Sequence, residues 1–345
     1  MRIIKTRSVQ DALPKGLDLL YGEHYKQDSR NGTVYKAKSP VCTVYDNPEE
    51  RVMFWTERDA NPFFHFMEGL WMLAGRNDLE FVKQYNKGMA RYSDDGKTLH
   101  GAYGWRWRDW FFERKDPDQL KVIIKRLAED PTDRRCVLQM WDAVEDLDRV
   151  GVDVPCNTAI YFNVSAGKLN MTVTNRSNDI IWGAYGANAV HMSMLHEYIA
   201  AHAGYRVGKY YQFSNDYHAY EEIYSKLIKG LDGFEPTNVL AILDLMEINP
   251  YKLGEVSPYP MVSVSREVWD KDLHRFLERK PFDTFSPFEE KFFNDVAVPM
   301  QDTWSLHKLG KTEEALDKIQ NCQASDWKKP VRSGWKEELN KDDYP

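Results

Sequence analysis

A hairpin that begins at a cysteine is the feature that most constrains how this chain can fold. Apolar and polar residues alternate over Thr158–Val164 and again over Leu169–Thr174, and Gly167-Lys168 between them is a turn signal. Two antiparallel strands joined in this way bring Arg176, after the second strand, beside Cys156, before the first. A guanidinium next to a thiol lowers the pKa of the thiol and can bind an anion. The pattern therefore predicts a cysteine nucleophile with an anion-binding arginine next to it.

The composition argues against several other classes of protein. The chain has 345 residues, of which 42% are hydrophobic, so it can bury a substantial core. Its formal net charge of −7 argues against a general nucleic-acid binder, which needs a basic surface. No apolar run is long enough to span a bilayer, and Met1–Thr6 leads directly into polar sequence, so we expect no signal peptide. The cysteines show no metal-binding spacing, which predicts reduced thiols in a cytoplasm and no metal site.

An apolar helix that carries one carboxylate precedes the hairpin. Apolar residues recur at helical spacing over Phe63–Leu73, after the start signal Asn61-Pro62. Glu68 lies on or next to the apolar face, where a carboxylate is costly unless it has a partner. The residues alone leave two interpretations open: an ion-paired structural glutamate, or a carboxyl that relays protons in a binding site.

Several ordered motifs together resemble the thymidylate synthase superfamily, which includes the phage deoxypyrimidine hydroxymethylases. The motifs span about residues 25–265 and are, in chain order, Glu68–Leu73, Gly101–Trp107, Asp133–Arg135, Pro155-Cys156, Arg176–Asp179, Gly183 with Asn188, and Asp216–Tyr220. The resemblance implies an α+β fold, in which a large mixed or antiparallel sheet packs against helices and forms a dimer interface. It implies a catalytic domain over residues 1–265 and a helical C-terminal extension over residues 266–345. It also implies a deoxypyrimidine monophosphate as substrate and 5,10-methylenetetrahydrofolate as co-substrate.

The resemblance assigns catalytic roles to individual residues. Cys156 adds to C6 of the pyrimidine, which makes C5 nucleophilic toward the one-carbon unit of the folate. Glu68 relays protons to the ring, and the Tyr103 hydroxyl helps move the proton from C5. Asp179 reaches the pterin of the folate. Asn188, at the start of a helix, reads the edge of the base.

Further residues are implied to hold the phosphate and the sugar. Arg176 and Ser177 bind the phosphate, and His218 and Tyr220 bind the 3′-hydroxyl. Each residue alone is also compatible with a structural role, Asp179 and Ser177 as turn or cap residues and His218 with Tyr220 as a hydrogen-bonded core pair. Their common order around one cysteine favours the binding site.

Four more arginines are candidate ligands by resemblance. Arg30, in a turn, matches a mobile loop that binds the phosphate, and Arg58 matches a basic position that contacts the folate tail. Arg134 and Arg135 are implied to cross a dimer interface and bind the phosphate in the neighbouring subunit, which would make dimerisation a catalytic requirement. From the residues alone, each arginine is also compatible with a solvated surface charge.

Three departures from the synthases predict that water, not hydride, is the final acceptor of the exocyclic methylene. The tryptophans that cover the folate in synthases are missing from the matching stretch, Lys87–Tyr92. Asn157 follows the nucleophile where synthases carry a histidine, and a helical extension replaces the short apolar tail that closes over the folate. Because a closed, water-free site favours hydride transfer, we expect a 5-hydroxymethyl product.

The identity of the base is less constrained. Asn188 can pair with uracil or, with its amide flipped, with cytosine. The aspartate typical of deoxycytidylate enzymes is missing, which argues for dUMP. The loop Ala184–Ala187 carries one residue more than the synthase pattern, and Asn157 indicates a changed base edge. We favour dCMP as the substrate, with dUMP hydroxymethylation and thymidylate synthesis as alternatives.

A non-catalytic relative that binds nucleotide or RNA is the remaining class. The acidic balance and the intact set of Cys156, Arg176, Asp179 and His218 argue against it. Only the resemblance suggests a phage origin, which would put the enzyme in the cytoplasm of a bacterial host.

The remaining patterns predict individual helices and strands. Residues 76–100 predict an amphipathic helix followed by a polar loop, residues 117–130 a helix, and Cys136–Trp141 a strand with Cys136 in the core. The extension predicts helices over Phe288–Leu309, Thr312–Ile319 and Ala324–Leu339.

Overall fold

Two sheets form the framework of the protein. The computed structural model describes residues 1–111, 118–229 and 249–334. Its strands are β1 Arg2–Thr6, β2 His24–Ser29, β3 Gly32–Ala37, β4 Val41–Tyr45, β5 Val137–Gln139, β6 Asn157–Ser165, β7 Lys168–Asn175, β8 Asn178–Asp179, β9 Arg206–Ser214 and β10 Tyr217–Tyr220. The larger sheet has the strand order β1-β4-β9-β7-β6-β5, and the smaller one has the order β2-β3-β10-β8. Both sheets mix parallel and antiparallel pairs, as β1 with β4 and β4 with β9 illustrate.

Helices surround these sheets. They are α1 Val9–Gly22, α2 Pro62–Leu73, α3 Leu79–Lys83, α4 Tyr103–Arg108, α5 Gln119–Glu129, α6 Ala143–Asp146, α7 Asn188–His202, α8 Glu221–Lys229, α9 Arg266–Glu278, α10 Val298–Lys308, α11 Thr312–Lys318 and α12 Ser325–Gly334. Two π-helical segments, Ile180–Ala187 and Phe293–Ala297, lead into α7 and α10. Among the described residues, no helix combines the length and apolar composition of a bilayer-spanning segment.

The hairpin of β6 and β7 confirms the prediction from the alternating pattern. The two strands are antiparallel, with Asn157 opposite Asn175 and Ser165 opposite Lys168. The register shifts between Asn157 and Ala159, so the ladder has an irregularity directly after Cys156. Such a bulge increases the local twist of the strand and changes the direction of neighbouring side chains. This explains how Cys156, directly before the strand, can line a cavity.

The core lies between the larger sheet and helices α7 and α2. Helix α7 is buried from Asn188 to Ala200, because it packs against β9 on one side and α2 on another. Helix α2 is buried from Phe63 to Leu73, as its apolar sequence predicted. A helix that is buried on all sides needs apolar residues on all its faces, and a polar side chain on it must therefore have a purpose or a partner.

The C-terminal helices pack on the outer side of α2 and α7. The Phe66 ring lies 5.7 Å from the Phe292 ring and 5.1 Å from the Trp327 ring. The Trp269 ring of α9 lies 5.0 Å from Tyr198 of α7. The predicted helical content of this region is confirmed for the described residues. The domain boundary at residue 265 stays a prediction, and the end of the helix predicted over residues 324–339 lies outside the described residues.

Two predicted elements were wrong in extent. Residues 76–100 form the short helix α3 and a 3₁₀ helix, Lys87–Tyr92, rather than one amphipathic helix. The side chains of Asp78 and Asn86 accept the amide hydrogens of Phe81 and Gly88, and two such caps close together break the segment into two. The helix predicted from Phe288 begins later, because the Phe288 amide donates to the Asn294 side chain at 3.0 Å.

The predictions for residues 117–130 and 136–141 hold within their described parts. Helix α5 covers Gln119–Glu129, and strand β5 covers Val137–Gln139. Cys136 is 1% exposed, which confirms it as a core residue. Pro117 lies outside the described residues.

Helix α4 crosses α2 so closely that it requires a glycine at the contact. A Cβ atom on Gly104 would lie 1.9 Å from the carbonyl oxygen of Met72.

We therefore expect Gly104→Ala to lower the free energy of unfolding by about 3 kcal/mol or more, since overpacking against a backbone atom forces two helices apart. Urea unfolding followed by circular dichroism measures this. Gly22→Ala is the control, because a Cβ there meets no atom within 4 Å; equal unfolding midpoints for the two variants would contradict the expectation.

Candidate active site

A single deep cavity receives most of the predicted site residues. Its volume is about 830 Å³, within the range of small-molecule binding sites. The predicted residues that line it are Arg30, Glu68, Tyr103, Cys156, Arg176, Ser177, Asp179, Asn188, His218 and Tyr220. They come from both sheets, from α2 and α4, and from the turn before α7, so the cavity depends on the whole fold.

The hairpin fixes Cys156 and Arg176 beside each other. The Arg176 amide donates to the Cys156 carbonyl at 2.9 Å. The Arg176 side chain donates from Nε to the Pro155 carbonyl at 3.0 Å and from Nη2 to the Val154 carbonyl at 2.9 Å. Nη2 also lies 3.9 Å from the Cys156 Sγ atom. The backbone thus holds the guanidinium next to the sulfur, while Nη1 makes no hydrogen bond to a described residue and is available to an anion.

The pKa of the Cys156 thiol differs from the sequence-based expectation. Burial raises this pKa above the ordinary value, and the positive charges of Arg176 and Arg30 only partly oppose the rise. The predicted lowering of the pKa was therefore wrong in its net direction, although the contribution of Arg176 has the predicted sign. The physical reason is that the cavity desolvates a thiolate more than one guanidinium at 3.9 Å compensates.

Arg30 lies at the opening of the cavity. It is exposed, and its Nη2 donates to the Val152 carbonyl at 2.8 Å, which ties the turn between β2 and β3 to the segment before Cys156. This arrangement leaves other guanidinium hydrogens for a phosphate. Ser177, which follows Arg176 directly, lines the same part of the cavity.

A π-helical segment places Asn188 in the cavity. Ile180–Ala187 contains a kink at Tyr185 and Gly186, and it leads directly into α7. A π-bulge accommodates an additional residue without displacing the helix after it, which explains how a longer loop still presents Asn188. The Asn188 Nδ2 atom donates to Asn178 Oδ1 at 3.3 Å, and Asn178 Nδ2 donates to Ser214 Oγ at 3.0 Å. This chain of hydrogen bonds favours one orientation of the Asn188 amide.

Asp179 combines a capping role with a free oxygen. Its Oδ1 accepts the amides of Ile181 at 3.0 Å and Trp182 at 2.6 Å, which caps the π-helical segment. Its Oδ2 is buried and makes no hydrogen bond to a described residue. Burial raises the pKa of this carboxyl, against the charge of His218 and the two amides. An unpartnered buried oxygen at a cavity wall is suited to a ligand donor.

His218 and Tyr220 lie on β10, between β3 and β8 of the smaller sheet. His218 Nδ1 lies 3.1 Å from Asp216 Oδ1, and Lys36 Nζ lies 2.5 Å from Asp216 Oδ2. Burial alone would lower the pKa of His218, but the hydrogen bond to Asp216 and the charge of Asp179 outweigh it, and the pKa is raised. The Tyr220 hydroxyl accepts from the Asn31 side chain at 3.4 Å.

The proton-relay candidates lie on the α2 and α4 side of the cavity. Glu68 is 6% exposed, and its Oε2 lies 3.0 Å from His191 Nε2 of α7. Tyr103 begins α4, and burial raises the pKa of its hydroxyl well above the ordinary value. Cys156 is one of the charges that act on that hydroxyl, so Tyr103 and the nucleophile face the same space.

Three predicted site residues are not brought to the cavity. Arg58 is 3% exposed and lies behind Trp182, with its guanidinium 4.3 Å from the centre of that ring and its Nε donating to the Ile181 carbonyl. Arg134 and Arg135 are exposed near the start of the edge strand β5, and Arg135 pairs with Asp133 at 2.9 Å. In one subunit these two arginines line no part of the cavity.

The cavity also contains residues that sequence reasoning missed. These are Lys36, His65, Trp141, Asp153, Trp182 and His191. His65 and His191 belong to helices whose apolar spacing predicts only packing, so their position on the cavity wall carries no local signal. The sequence did contain a signal for Asp153, because a carboxylate three residues before a nucleophile is unusual in the apolar segment that leads into a strand. The stretch Lys87–Tyr92, in which no tryptophan occurs, contributes Met89, Arg91 and Tyr92 to the wall.

Comparison with known proteins agrees with this geometry. Residues 17–253 match the family model described as thymidylate synthase. A protein of Pseudomonas phage M6 named deoxyuridylate hydroxymethyltransferase is 49% identical over 95% of this chain and 92% of its own length. A Bacillus phage SP01 protein of the same name is 37% identical over 66% of this chain and 64% of its own length. A thymidylate synthase of Symbiobacterium thermophilum is 33% identical over 45% of this chain and 58% of its own length. Since this family model matches well over half of the residues, the chain belongs to the thymidylate synthase family.

Proposed function

We propose that this enzyme transfers a hydroxymethyl group to C5 of dUMP, with 5,10-methylenetetrahydrofolate as the one-carbon donor and water as the final acceptor. The observation that carries the proposal is a half-buried thiol held 3.9 Å from a backbone-anchored guanidinium in a cavity with polar walls. The relatives named deoxyuridylate hydroxymethyltransferase support the choice of product and of base.

The cavity has the groups that a nucleotide needs. Arg176, with Nη1 uncommitted among the described residues, and Ser177 would bind the phosphate, and Arg30 at the opening would close over it. His218 and Tyr220 would bind the 3′-hydroxyl of the sugar. The phosphate would then sit beside the sulfur, which sets the position of the pyrimidine ring over Cys156.

A folate also fits the remaining residues. Folate supplies an electrophilic one-carbon unit. The unpartnered Oδ2 of Asp179 is suited to the N–H donors of a pterin, and the Trp182 ring next to it offers a stacking surface. Arg58 would act on this region through Trp182, whose ring it covers at 4.3 Å, rather than by touching the folate tail.

The chain's own residues account for the steps on the pyrimidine. The Cys156 thiolate adds to C6, and the electron pair of the C5–C6 double bond becomes available at C5. After C5 has taken the one-carbon unit, Tyr103 helps remove the C5 proton, and Glu68 relays protons to the ring oxygen through the cavity. Because burial raises the pKa of Cys156, the positive charge of Arg176 beside the sulfur is needed to stabilise the thiolate that attacks the ring.

The hydroxymethyl product is expected from the wall of the cavity. Lys87–Tyr92 contributes a flexible methionine, an arginine and a tyrosine where large indole rings would exclude water. A wall with charged and hydroxyl groups retains ordered water next to the reacting carbon, and hydride transfer needs the opposite.

The base remains a choice between two candidates, and dCMP is the second. The amide chain from Ser214 through Asn178 to Asn188 favours one orientation of Asn188, so the site would select one base rather than accept both. Asn157, which is fully buried behind the thiol, is the observation that favours a changed base edge and hence dCMP. The names of the relatives favour dUMP, and we adopt it.

Product analysis tests the proposal directly. Incubation of the enzyme with methylenetetrahydrofolate and dUMP should give 5-hydroxymethyl-dUMP and tetrahydrofolate, and dUMP should be turned over at least tenfold faster than dCMP. Mass spectrometry of the nucleotide and the absorbance of dihydrofolate report the two outcomes. Formation of a 5-methyl nucleotide with dihydrofolate would overturn the proposed reaction, and faster turnover of dCMP would overturn the proposed base.

The base preference should depend on the side chain at position 188. Asn188→Asp removes the donor that faces the uracil O4 atom and supplies a carboxylate that accepts from the amino group of cytosine. We expect the ratio of kcat/KM for dCMP to that for dUMP to rise by about 100-fold, because an unmatched buried polar pair costs about 3 kcal/mol. Asn321→Asp, at an exposed position of the C-terminal helices, is the matched control and should leave the ratio unchanged. An unchanged ratio in both variants would show that Asn188 does not read the base.

We propose further that two subunits pair through the outer face of the larger sheet. One face of β6 and β7 is buried in the core, whereas Tyr161 on the other is 47% exposed, and Val137 on the edge strand β5 is 37% exposed. Large exposed side chains on a sheet face are typical of an interface. Arg134 and Arg135, which reach no cavity in one subunit, would reach the phosphate of the neighbouring subunit.

Subunit complementation tests the shared site. Cys156→Ala and the double variant Arg134→Ala/Arg135→Ala should each be inactive. Refolded together in equal amounts, they should recover about a quarter of the wild-type activity, because half of the dimers are mixed and each has one intact site. Mixing Cys156→Ala with Arg176→Ala, whose lesions both belong to one subunit's own site, is the control and should recover none. Absence of recovery in the first mixture would exclude shared arginines.

A further inference from the structure

A carboxylate that the proposed reaction has not used faces the cavity beside the nucleophile. Asp153 lies three residues before Cys156 and is part of the cavity wall. Its Oδ2 accepts the Gly101 amide at 2.8 Å. Gly101 in turn lies just before Tyr103, the first residue of α4. Asp153 therefore joins the segment that carries the thiol to the helix that carries the phenol.

The fold leaves room for this carboxylate by means of a glycine. A Cβ atom on Gly101 would lie 2.5 Å from Asp153 Oδ1 and 3.2 Å from the Pro155 amide nitrogen. A side chain at position 101 would therefore push the carboxylate out of its place. One oxygen is held by an amide, and the other makes no hydrogen bond to a described side chain, so it can accept from a water molecule in the cavity.

The charges around Asp153 make it a base near neutral pH. Burial raises the pKa of the Asp153 carboxyl to about 6, and the negative charge of Asp94 adds to this rise. The hydrogen bond from the Gly101 amide and the positive charges of Arg106 and Arg149 act in the opposite direction. Asp153 in turn raises the pKa of Cys156 and of Tyr103, so its charge acts on the same space as theirs. A carboxyl with a pKa near the working pH is effective in proton transfer.

We propose that Asp153 is the general base that takes a proton from the water that adds to the exocyclic methylene, an inference that rests on the proposed function. In the step, the water oxygen forms a bond to the methylene carbon, and the electron pair of the exocyclic double bond moves through C5 to the ring oxygen O4 as an enolate. The water proton goes to Asp153. The enolate then collapses, the C5–C6 double bond re-forms, and the bond between C6 and the Cys156 sulfur breaks to release the thiolate. No electron is gained or lost overall, so the folate leaves as tetrahydrofolate.

The other carboxylates of the cavity are less suited to this step. Asp179 uses Oδ1 to cap the π-helical segment and belongs to the region proposed for the pterin. Glu68 is paired with His191, at 3.0 Å, and already serves the ring oxygen in the proposed reaction. Asp216 is paired with Lys36 and His218 at the sugar side. Of these carboxylates, Asp153 is the one whose charge acts on the Cys156 thiol, and the methylene is attached to the ring carbon next to the one that the sulfur attacks.

The test is a substitution that keeps the shape and the Gly101 contact but removes the base. Asp153→Asn still offers an oxygen to the Gly101 amide. In a single turnover, with enzyme in excess over the nucleotide, we expect it to release tritium from [5-³H]dUMP within a factor of about three of the wild-type rate, because C5 proton removal precedes water addition. Formation of 5-hydroxymethyl-dUMP should fall by about 100-fold. Asp148→Asn, the same change at an exposed position of the same loop, is the control and should affect neither rate.

A thiol added to the assay distinguishes a trapped methylene from a dead enzyme. With 2-mercaptoethanol present, Asp153→Asn should divert most of the product to the 5-(2-hydroxyethyl)thiomethyl nucleotide, since a thiolate adds to the methylene without help from a base. Gly101→Ala, which displaces the carboxylate, should show the same diversion. Without added thiol, the single-turnover rate of hydroxymethyl formation in the wild-type enzyme, relative to the rate of tritium release, should fall as the pH drops through about 6, where Asp153 takes up a proton, and this dependence should vanish in Asp153→Asn.

Each outcome has a separate meaning. If Asp153→Asn forms the hydroxymethyl nucleotide at the wild-type rate, or loses tritium release and product formation equally, Asp153 is a positioning or structural residue and the inference fails. If the wild-type enzyme itself yields a 5-methyl nucleotide and dihydrofolate, the proposed function fails instead.

Discussion

The backbone pairing of Arg176 with Cys156 is the interaction on which the rest of the site depends. One hydrogen bond joins the Arg176 amide to the Cys156 carbonyl, and two more tie the guanidinium to the carbonyls of Val154 and Pro155. The acceptor in each of these three hydrogen bonds is a main-chain carbonyl, so the position of Arg176 does not depend on which ligand the cavity binds. A fixed positive charge beside a half-buried sulfur partly offsets the desolvation of the thiolate and can also anchor an anionic ligand.

Helices α4 and α7 set other walls of the cavity. Helix α4 can bring Tyr103 toward the thiol only because Gly104 lets it cross Met72 closely, and Gly101 leaves room for Asp153. Helix α7 brings Asn188 and, through His191, a neighbour for Glu68. In the proposed reaction these groups divide the work: the thiol activates the ring, the phenol and Glu68 move protons on it, and Asp153 acts on the water.

The sequence was informative where function depends on neighbours along the chain. The hairpin, the buried α2 and the motif of Arg176–Asp179 could be predicted, because alternation and helical spacing are local properties. The direction of the shift in the Cys156 pKa could not be predicted, because it depends on how much solvent the whole fold removes from the thiol. The π-helical segment before Asn188 and the position of Arg58 behind Trp182 likewise arise from packing between distant segments. Arg134 and Arg135 are a different case, because their predicted role needs a second subunit.

Covalent capture of the nucleotide tests the central claim most directly. A 5-fluoro-dUMP molecule cannot lose its C5 substituent as a proton, so with methylenetetrahydrofolate it should arrest the reaction with the ring still bonded to sulfur. Denaturation, digestion and mass spectrometry should then find one nucleotide and one folate per chain on the peptide that contains Cys156, and none on those that contain Cys42, Cys136 or Cys322. Release of the intact nucleotide on denaturation, or its attachment to another cysteine, would contradict the account.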